Sequence, residues 1–278
     1  MTLLEAIVVG IVQGLAEFLP ISSSGHIVLT QFLLGIREQG GPPPEDIAFE
    51  VMLHMGTMVS VLIFFRGRLF SLTKALWTWT MKAELKMIVW LALASVPAAI
   101  AYKLFKSQFQ AAYNNPVIVS SLLIVTGAVL FLPGWIKKVK EGTREIGPLE
   151  GFIMGCAQAI AILPGISRSG STIVGGLSLG CKPERVAEFS FLMSIPAIGG
   201  GFLFNLLDIR DANGGDMGAA LQECFKMSYV VGAVAAAVVG MFAIYLVMDA
   251  VKKGKLTYFS YYCFAAGISG IIYFSLAK

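Results

Sequence analysis

Long apolar stretches separated by short polar segments make up most of the chain. Six of these stretches reach or exceed the roughly 18 residues that an apolar helix needs to cross a bilayer. They lie at residues 47–65, 87–104, 116–133, 186–204, 228–250 and 257–275. The pattern therefore predicts an all-α polytopic membrane protein with six full spans.

Two further apolar regions, residues 3–35 and 151–180, are interrupted near the middle by a polar cluster. The first cluster contains three consecutive serines, and the second contains an arginine between two serines. Proline cannot continue a helical hydrogen-bond ladder, and serine readily caps the helix that follows. Irregular backbone at membrane depth is tolerated only where protein or water surrounds it. Each region is therefore expected to form a re-entrant helical hairpin, with breaks at Pro20–Ser24 and Pro164–Ser169.

The two interrupted regions are similar to each other, which indicates an internal duplication. Residues 19–25 match residues 163–170 when Gly165 is treated as an insertion, and residues 14–17 are echoed by residues 155–158. Three full spans follow each interrupted region. The chain is therefore expected to be a single membrane domain (1–278) with repeat one at about 1–133, a cytoplasmic linker at about 134–150 and repeat two at about 151–278.

The distribution of positive charge predicts how the spans are threaded. With residues 1–46 on the outer side, 14 of the 21 Lys and Arg residues fall on the inner side and six on the outer side. This bias agrees with the positive-inside rule. The two hairpins then enter from opposite sides, which gives an inverted-topology repeat whose broken helices meet near the midplane and build the functional site.

Composition excludes several other classes of protein. The chain is 56% hydrophobic and 14% charged, whereas a soluble domain carries about 25% charged residues. The N-terminus lacks the basic segment and cleavage site of a secretory signal. The four cysteines include no C-x-x-C pair, so neither a zinc site nor a disulfide framework is expected. The net charge of +4 is modest, and no nucleic-acid partner is expected.

Ionisable and hydroxyl side chains concentrate in the two interrupted regions. Gln13 and Glu17 are four residues apart and share a helix face, and Arg168 arrives from the other hairpin. Ionisable residues at membrane depth mark functional sites by default, and helix N-termini together with arginine favour phosphate. The pocket is expected to hold a phosphate or pyrophosphate. The candidate binding residues are Gln13, Ser22, Ser24, Gly25, Gly165, Ser167, Ser169 and Thr172.

Structural interpretations of the same residues remain open at this point. Serine and glycine often only pack membrane helices together. Arg168 and Glu17 could form a purely structural ion pair, and His26 could be a satisfied core histidine. His54 is expected to be structural or to support the site from behind its first layer of residues, and Glu50 is as consistent with hydration at a span end as with function.

At these residues the sequence resembles the undecaprenyl-pyrophosphate phosphatase family of bacterial inner membranes, the bacitracin-resistance type. One motif covers residues 13–26 and the other covers residues 164–172, and the resemblance extends over essentially the whole chain. It implies hydrolysis of the C55 isoprenoid pyrophosphate to its monophosphate, which recycles the cell-wall carrier lipid and confers bacitracin resistance. It also implies a multi-pass protein of the inner membrane.

The resemblance further implies the roles of individual residues. The functional residues of the family map onto Glu17, Ser23, His26 and Arg168. A divalent cation, Mg or Ca, is implied as cofactor, and Glu17 with Gln13 would hold it, although an amide replaces a second carboxylate at Gln13. The implied partners are the isoprenyl pyrophosphate lipid and the bilayer, and a homodimer is left open.

The mechanism expected from these residues has Ser23 as nucleophile, Glu17 and His26 as the acid–base pair, and Arg168 as the phosphate clamp. The alternative has Ser23 bind phosphate while a water attacks. A lipid-phosphate flippase or an anion transporter would use the same inverted-repeat architecture. A transporter, however, needs no nucleophile and base beside its anion site, which favours the phosphatase. The charge bias predicts that the active site faces the periplasmic or outer side.

Overall fold

The computed structural model describes residues 1–36, 47–79, 81–134 and 142–276. Within these ranges the chain is almost wholly helical, and the only extended pairing is an isolated bridge between Arg144 and Cys181. In chain order the helices are α1 (Leu3–Phe18), α2 (Ser23–Leu33), α3 (Ile47–Phe64), α4 (Arg66–Thr78), α5 (Lys82–Tyr113), α6 (Pro116–Phe131), α7 (Pro148–Ile160), α8 (Arg168–Ser178), α9 (Pro183–Ala212), α10 (Met217–Cys224), α11 (Met227–Lys252) and α12 (Thr257–Leu276).

Six helices are long and apolar enough to cross a membrane, and they coincide with the six predicted spans. They are α3, α5, α6, α9, α11 and α12, with α6 continuing through a short 3-10 turn to Gly134. Helices α5 and α9 are longer than predicted, with 32 and 30 residues. Both extend at each end into polar flanks, which a hydropathy window excludes. The prediction of six spans in an all-helical membrane protein is therefore confirmed.

The two interrupted regions are each divided into two helices. α1 ends at Phe18 and α2 begins at Ser23, while α7 ends at Ile160 and α8 begins at Arg168. The expected breaks were placed too far along the chain. Ser23 and Arg168 are already the first residues of their helices, because the preceding serine in each region acts as the N-cap.

The two halves of the chain pack against each other at helix crossings formed by small residues. Helix α1 packs on α11, and helix α7 packs on α5. A Cβ at Gly14 would lie 2.6 Å from the Ala236 carbonyl oxygen, and one at Gly155 would meet the Ala94 carbonyl. Lipid offers no hydrophobic drive for helix association, so close backbone approach at small residues supplies van der Waals contact instead. These crossings fix where the ends of α1 and α7 lie.

The third spans of the two halves, α6 and α12, also pack along each other. The Ser260 hydroxyl of α12 donates to the Gly127 carbonyl of α6 at 2.6 Å. A Cβ at Gly267 would lie 2.7 Å from the Ser120 carbonyl oxygen, so the helices approach closely over several turns. This pair lies beside both helix breaks, because α6 contacts α2 and α8 as well.

Helix α4 connects two spans but is not one itself. Its 13 residues are too few to cross a bilayer. Trp77 and the adjoining Trp79 are 90% and 76% exposed, and tryptophan prefers the membrane–water interface. Arg68 fastens the helix to its neighbours through ion pairs with Glu188 at 2.8 Å and Glu84 at 3.5 Å. The hydropathy pattern does not predict this helix.

Candidate active site

A buried carboxylate, Glu17, lies at the centre of the site. It occupies the last turn of α1 and is 6% exposed. Its Oε2 accepts hydrogen bonds from the Ser23 hydroxyl at 2.6 Å and from the Gln13 amide at 3.2 Å. Its Oε1 accepts from the guanidinium of Arg168, with which it forms an ion pair. A nucleophile-type hydroxyl, a carboxylate and a cation therefore meet at one point.

Direct hydrogen bonds between the two helix breaks bring these residues together. The Ser22 hydroxyl accepts from the Gly165 amide at 3.1 Å, and the Ser169 hydroxyl donates to the Leu19 carbonyl at 3.2 Å. Thr126 of α6 holds the second break, because its hydroxyl donates to the Gly165 carbonyl at 2.7 Å and accepts from the Ser167 amide at 2.9 Å. Each break thus depends on the other half of the chain.

Gly165 is the residue that allows this docking. Its φ of +101° is unfavourable for residues with a Cβ. A Cβ there would also lie 2.7 Å from the Leu122 Cβ and would meet the Val119 carbonyl. The glycine treated as an insertion in the sequence comparison is therefore where the second break passes closest to α6.

A cavity of about 470 Å³ opens onto this group of residues. Its lining includes Glu17, Ser23, Ser24 and Arg168. The rest of its wall is mixed: α3, α5 and α9 contribute apolar side chains such as Ile47, Phe109 and Phe202, and polar ones such as Lys106 and Asn205. An ionic head and a hydrocarbon chain on one molecule would match these polar and apolar side chains.

Arg168 has donor capacity left after its pairing with Glu17. Nη2 makes the ion pair, while Nη1 is buried and has no hydrogen-bond partner among the described residues. A buried donor without a partner is costly. The guanidinium fork binds two oxygens of one phosphate well. Arg168 lines the cavity, so its unused donor supports the predicted phosphate clamp.

Two further ionisable residues, His54 and Glu50, line the cavity. His54 Nε2 lies 3.8 Å from Glu17 Oε2, and its Nδ1 donates to the Glu50 carbonyl at 2.7 Å. The sequence predicts a structural or supporting role for His54, not a place in the cavity wall. The spacing of residues 50, 54 and 57 is the signal in the sequence for this role of His54, because these positions share one face of α3. In the structure that face meets α1, since Thr57 accepts a hydrogen bond from Gln13 at 3.4 Å.

The structure does not bring His26 to the other predicted catalytic residues. Its ring stacks on Tyr262 of α12, and Nε2 is 2.8 Å from the Tyr262 hydroxyl. Its Nδ1 is 2.8 Å from the Ser22 carbonyl. Among the described residues, the cavity lining includes Ser23 and Ser24 but not His26.

Most residues predicted to bind substrate instead hold the helix breaks. Ser22 and Ser167 cap α2 and α8 by accepting from the Gly25 and Gly170 amides, at 3.3 and 3.0 Å. Thr172 is fully buried and shares a hydrogen bond of 2.7 Å with Ser190 of α9. Hydroxyls next to a free helix end satisfy its backbone amides before any ligand does. Of the predicted substrate-binding residues Gln13, Ser22, Ser24, Gly25, Gly165, Ser167, Ser169 and Thr172, the described cavity lining contains Ser24.

The residues around Glu17 suit a divalent cation only if a ligand supplies further oxygens. Among the described residues, no three His, Cys, Asp or Glu side chains are grouped closely enough to hold a metal ion. Gln13 nevertheless has a fully buried Oε1 without a hydrogen-bond partner among those residues. Mg²⁺ is commonly held by one or two protein oxygens together with substrate phosphates. Glu17 and Gln13 therefore fit a cation shared with a phosphate ligand.

Comparisons with known proteins decide the family. Residues 6–269 match the family model described as "Bacitracin resistance protein BacA". The chain belongs to the BacA family. An undecaprenyl-diphosphatase of Salinibacter ruber is 38% identical over 98% of this chain and 99% of its own. The BacA relatives with the same name in Alkaliphilus metalliredigens and Bacteroides thetaiotaomicron are 38% and 36% identical, and each alignment covers at least 98% of both chains.

The BacA relationship covers both interrupted regions and all six spans, since the matched residues run from α1 to α12. The resemblance inferred from the two motifs is therefore confirmed. The enzyme name of the relatives also favours the phosphatase over the flippase or transporter. The roles of single residues in this BacA chain rest on the geometry described above.

Proposed function

We propose that this protein hydrolyses undecaprenyl pyrophosphate to the monophosphate and inorganic phosphate. The observation that carries the proposal is the contact of Ser23, Glu17 and Arg168 in a cavity that also has apolar walls from α3, α5 and α9. Relatives named undecaprenyl-diphosphatase match nearly the whole chain. The reaction recycles the carrier lipid of cell-wall synthesis. It also removes the lipid pyrophosphate target of bacitracin, in keeping with the name of the family.

In the proposed reaction Ser23 attacks the terminal phosphorus. Its hydroxyl already donates to Glu17 Oε2 at 2.6 Å, so the carboxylate can take the proton as the oxygen–phosphorus bond forms. The bond from the terminal phosphorus to the bridging oxygen breaks, and undecaprenyl phosphate leaves. Water then hydrolyses the phosphoserine. A direct attack by water, with Ser23 binding phosphate, is the alternative that the same geometry allows.

Arg168 links substrate binding to the hydrogen bonds of Glu17. The Arg168 guanidinium forms an ion pair with the Glu17 carboxylate. A phosphate in the cavity competes for the same cation, with Nη1 already buried without a partner among the described residues. Drawing Arg168 toward the phosphate frees Glu17 Oε1, while Oε2 stays hydrogen-bonded to the Ser23 hydroxyl whose proton it would take. Charge neutralisation on the transferred group is the main source of catalysis in phosphoryl transfer.

A divalent cation, Mg or Ca, is proposed to be shared between the protein and the pyrophosphate. Glu17 and the Oε1 of Gln13 would hold it. When bound, such an ion supplies positive charge to phosphate oxygens. His54, 3.8 Å from Glu17, is a candidate proton donor or acceptor on the cavity side, in the role that the sequence analysis gave to His26.

The proposed setting is an inverted-topology repeat in the bacterial inner membrane, with α1–α2 and α7–α8 as re-entrant hairpins. The crossed packing supports it, because α1 rests on the second span of the other half and α7 does the same in reverse. Lys106, predicted to lie on the outer side, lines the cavity. We therefore propose that the active site faces the periplasmic side, with the isoprenoid tail between spans in lipid.

Phosphate release from purified protein tests the proposed function. The wild type in detergent, with Mg²⁺, is expected to release one phosphate per undecaprenyl pyrophosphate and to form undecaprenyl phosphate. Ser23→Ala is expected to abolish most release, while Ser121→Ala, on an exposed face of α6, serves as the matched control. Absence of phosphate release by folded wild-type protein would refute the proposal.

A further inference from the structure

His26 and Tyr262 form a stacked and hydrogen-bonded pair. Their ring centroids are 5.5 Å apart with an interplanar angle of 15°. His26 Nδ1 lies 2.8 Å from the Ser22 carbonyl oxygen, which can only accept, so Nδ1 carries a proton. In the neutral ring Nε2 then accepts from the Tyr262 hydroxyl at 2.8 Å. Both ring nitrogens are engaged in this way.

The residue held by this pair has an unusual backbone conformation. Ser22 has a φ of +72° and a ψ of 97°, a region that residues with a Cβ rarely adopt. Such a conformation persists only where the surroundings over-determine it. Here the carbonyl of Ser22 accepts from both the His26 side chain and the His26 amide, the latter at 3.1 Å. The Ser22 hydroxyl accepts from Gly25 and Gly165.

The conformation of Ser22 sets the direction of Ser23. The two residues are consecutive, so a change of φ or ψ at Ser22 moves the Ser23 hydroxyl relative to the Glu17 carboxylate, now 2.6 Å away. Reaction rates are steep functions of such placement, and a displacement of about 1 Å costs on the order of a hundredfold. The catalytic geometry therefore depends on contacts that lie on the far side of the helix break.

We propose that Tyr262 is a positioning residue for the phosphatase reaction. Through the His26 ring it holds the Ser22 carbonyl, and thereby keeps Ser23 against Glu17. His26 itself serves as the connecting group and exchanges no proton with the substrate. The inference rests on the proposed function, in which Ser23 and Glu17 carry out the reaction.

The first test compares Tyr262→Phe with Tyr261→Phe. The first variant keeps the ring that stacks on His26 and removes only the hydroxyl, while the second removes a neighbouring hydroxyl and keeps its ring contact with Phe131. Loss of one positioning hydrogen bond is expected to lower kcat about fivefold in Tyr262→Phe and to leave KM unchanged. Tyr261→Phe is expected to match the wild type. An unchanged kcat in Tyr262→Phe would overturn the inference.

The second test separates positioning from acid–base chemistry at His26. In His26→Asn the amide nitrogen occupies about the place of Nδ1 and can still donate to Ser22, whereas in His26→Gln it lies too far along the side chain. Activity is expected to be several-fold higher in His26→Asn than in His26→Gln. The pH profile of kcat/KM in His26→Asn is expected to keep the wild-type shape. Equal inactivity of both variants, or loss of a limb of the profile in His26→Asn, would mean that the histidine titrates in the reaction.

Hydrogen–deuterium exchange of backbone amides tests, without any enzyme assay, whether Tyr262 holds the Ser22 backbone through His26. Tyr262→Phe is expected to speed hydrogen–deuterium exchange in the peptide that contains residues 22–26, with an unchanged melting temperature and no change in Tyr261→Phe. Unchanged exchange in this peptide would overturn the positioning role. Failure of the wild type to release phosphate would count against the proposed function alone. Amide exchange would still decide whether Tyr262 holds the backbone at Ser22.

Discussion

At the scale of single residues, equivalent positions of the two hairpins carry complementary chemistry. Ser22 and Ser167 both act as N-caps, and the next residue in each helix is Ser23 or Arg168. One position thus presents a hydroxyl and its counterpart a cation, toward the same carboxylate. That carboxylate, Glu17, corresponds to a buried amide at Gln158 in the other hairpin. Two similar backbones therefore produce one site, because their side chains differ.

The arginine is expected to be irreplaceable by lysine. Arg168→Lys keeps the charge but loses the planar fork, which pairs Nη2 with Glu17 and leaves Nη1 for phosphate. We expect kcat/KM for undecaprenyl pyrophosphate to fall about a hundredfold or more. Arg210→Lys, at a partly exposed arginine of α9, is the control and should behave as wild type. Near wild-type turnover by Arg168→Lys would refute the clamp.

Substitution of Ser23 distinguishes the nucleophile from the water mechanism. Ser23→Ala removes the hydroxyl beside Glu17 and is expected to lose nearly all activity under either mechanism. The informative measurement is intact-protein mass spectrometry of quenched wild-type reactions and of Ser23→Cys. A gain of one phosphoryl group at position 23 supports covalent catalysis. Substantial turnover by Ser23→Ala would eliminate the nucleophile assignment and leave the pocket around Arg168 intact.

The sequence predicted the meeting of Glu17, Ser23 and Arg168, because polar residues inside broken membrane helices have few other places to go. It could not distinguish the two histidines. His26 follows Ser23 by three residues, which favoured contact, but its ring turns to Tyr262, 236 residues later in the chain. Partners from the other half of the chain also decide which serines cap a helix and which present a hydroxyl to the cavity.

At the scale of helices, hydropathy was sufficient to predict where the spans lie but not where their helices end. Helix α5 extends to Tyr113 and α9 to Ala212, beyond the apolar windows, and both contribute polar cavity residues in these extensions, such as Lys106 and Asn205. Helix α4 was missed because its apolar residues are mixed with cations. Interfacial helices of this kind carry no long apolar run by which to be recognised.

Close helix crossings make two equivalent glycines sensitive to the smallest substitution. Gly14→Ala would place a Cβ 2.6 Å from the Ala236 carbonyl, and Gly155→Ala would press on the Ala94 carbonyl. We expect each variant to lower the melting temperature in detergent, because backbone rather than a flexible side chain must move. Gly200→Ala, in α9 with nothing within 4 Å of the added methyl, should be neutral or slightly stabilising. Equal stability of all three would argue against these crossings.

At the scale of the whole molecule, the site exists only when both halves are docked. Glu17 and Ser23 come from the first interrupted region and Arg168 from the second, and Thr126 of the first half holds the break of the second. The proposed inverted repeat accounts for this exchange, since related halves facing opposite ways place their breaks at a shared midplane. The sequence indicated the repeat through its motifs and charge bias, while the crossed pairing of α1 with α11 required coordinates.

The proposed orientation has a direct consequence for labelling from outside the cell. With the cavity toward the periplasm, the loop and short helix between α9 and α11 lie outside, and the turn between α11 and α12 lies inside. A cysteine at the exposed position Gln222 is therefore expected to react with a membrane-impermeant maleimide in cells with a permeabilised outer envelope, and one at Lys255 only after lysis.

The wild type is the background control, because Cys181, Cys224 and Cys263 are buried and Cys156 is half-buried. The lysine-rich turn at Lys252, Lys253 and Lys255 makes the inner assignment the favourable one. Labelling of Lys255→Cys but not Gln222→Cys before lysis would reverse the topology and place the phosphate-releasing end of the cavity in the cytoplasm.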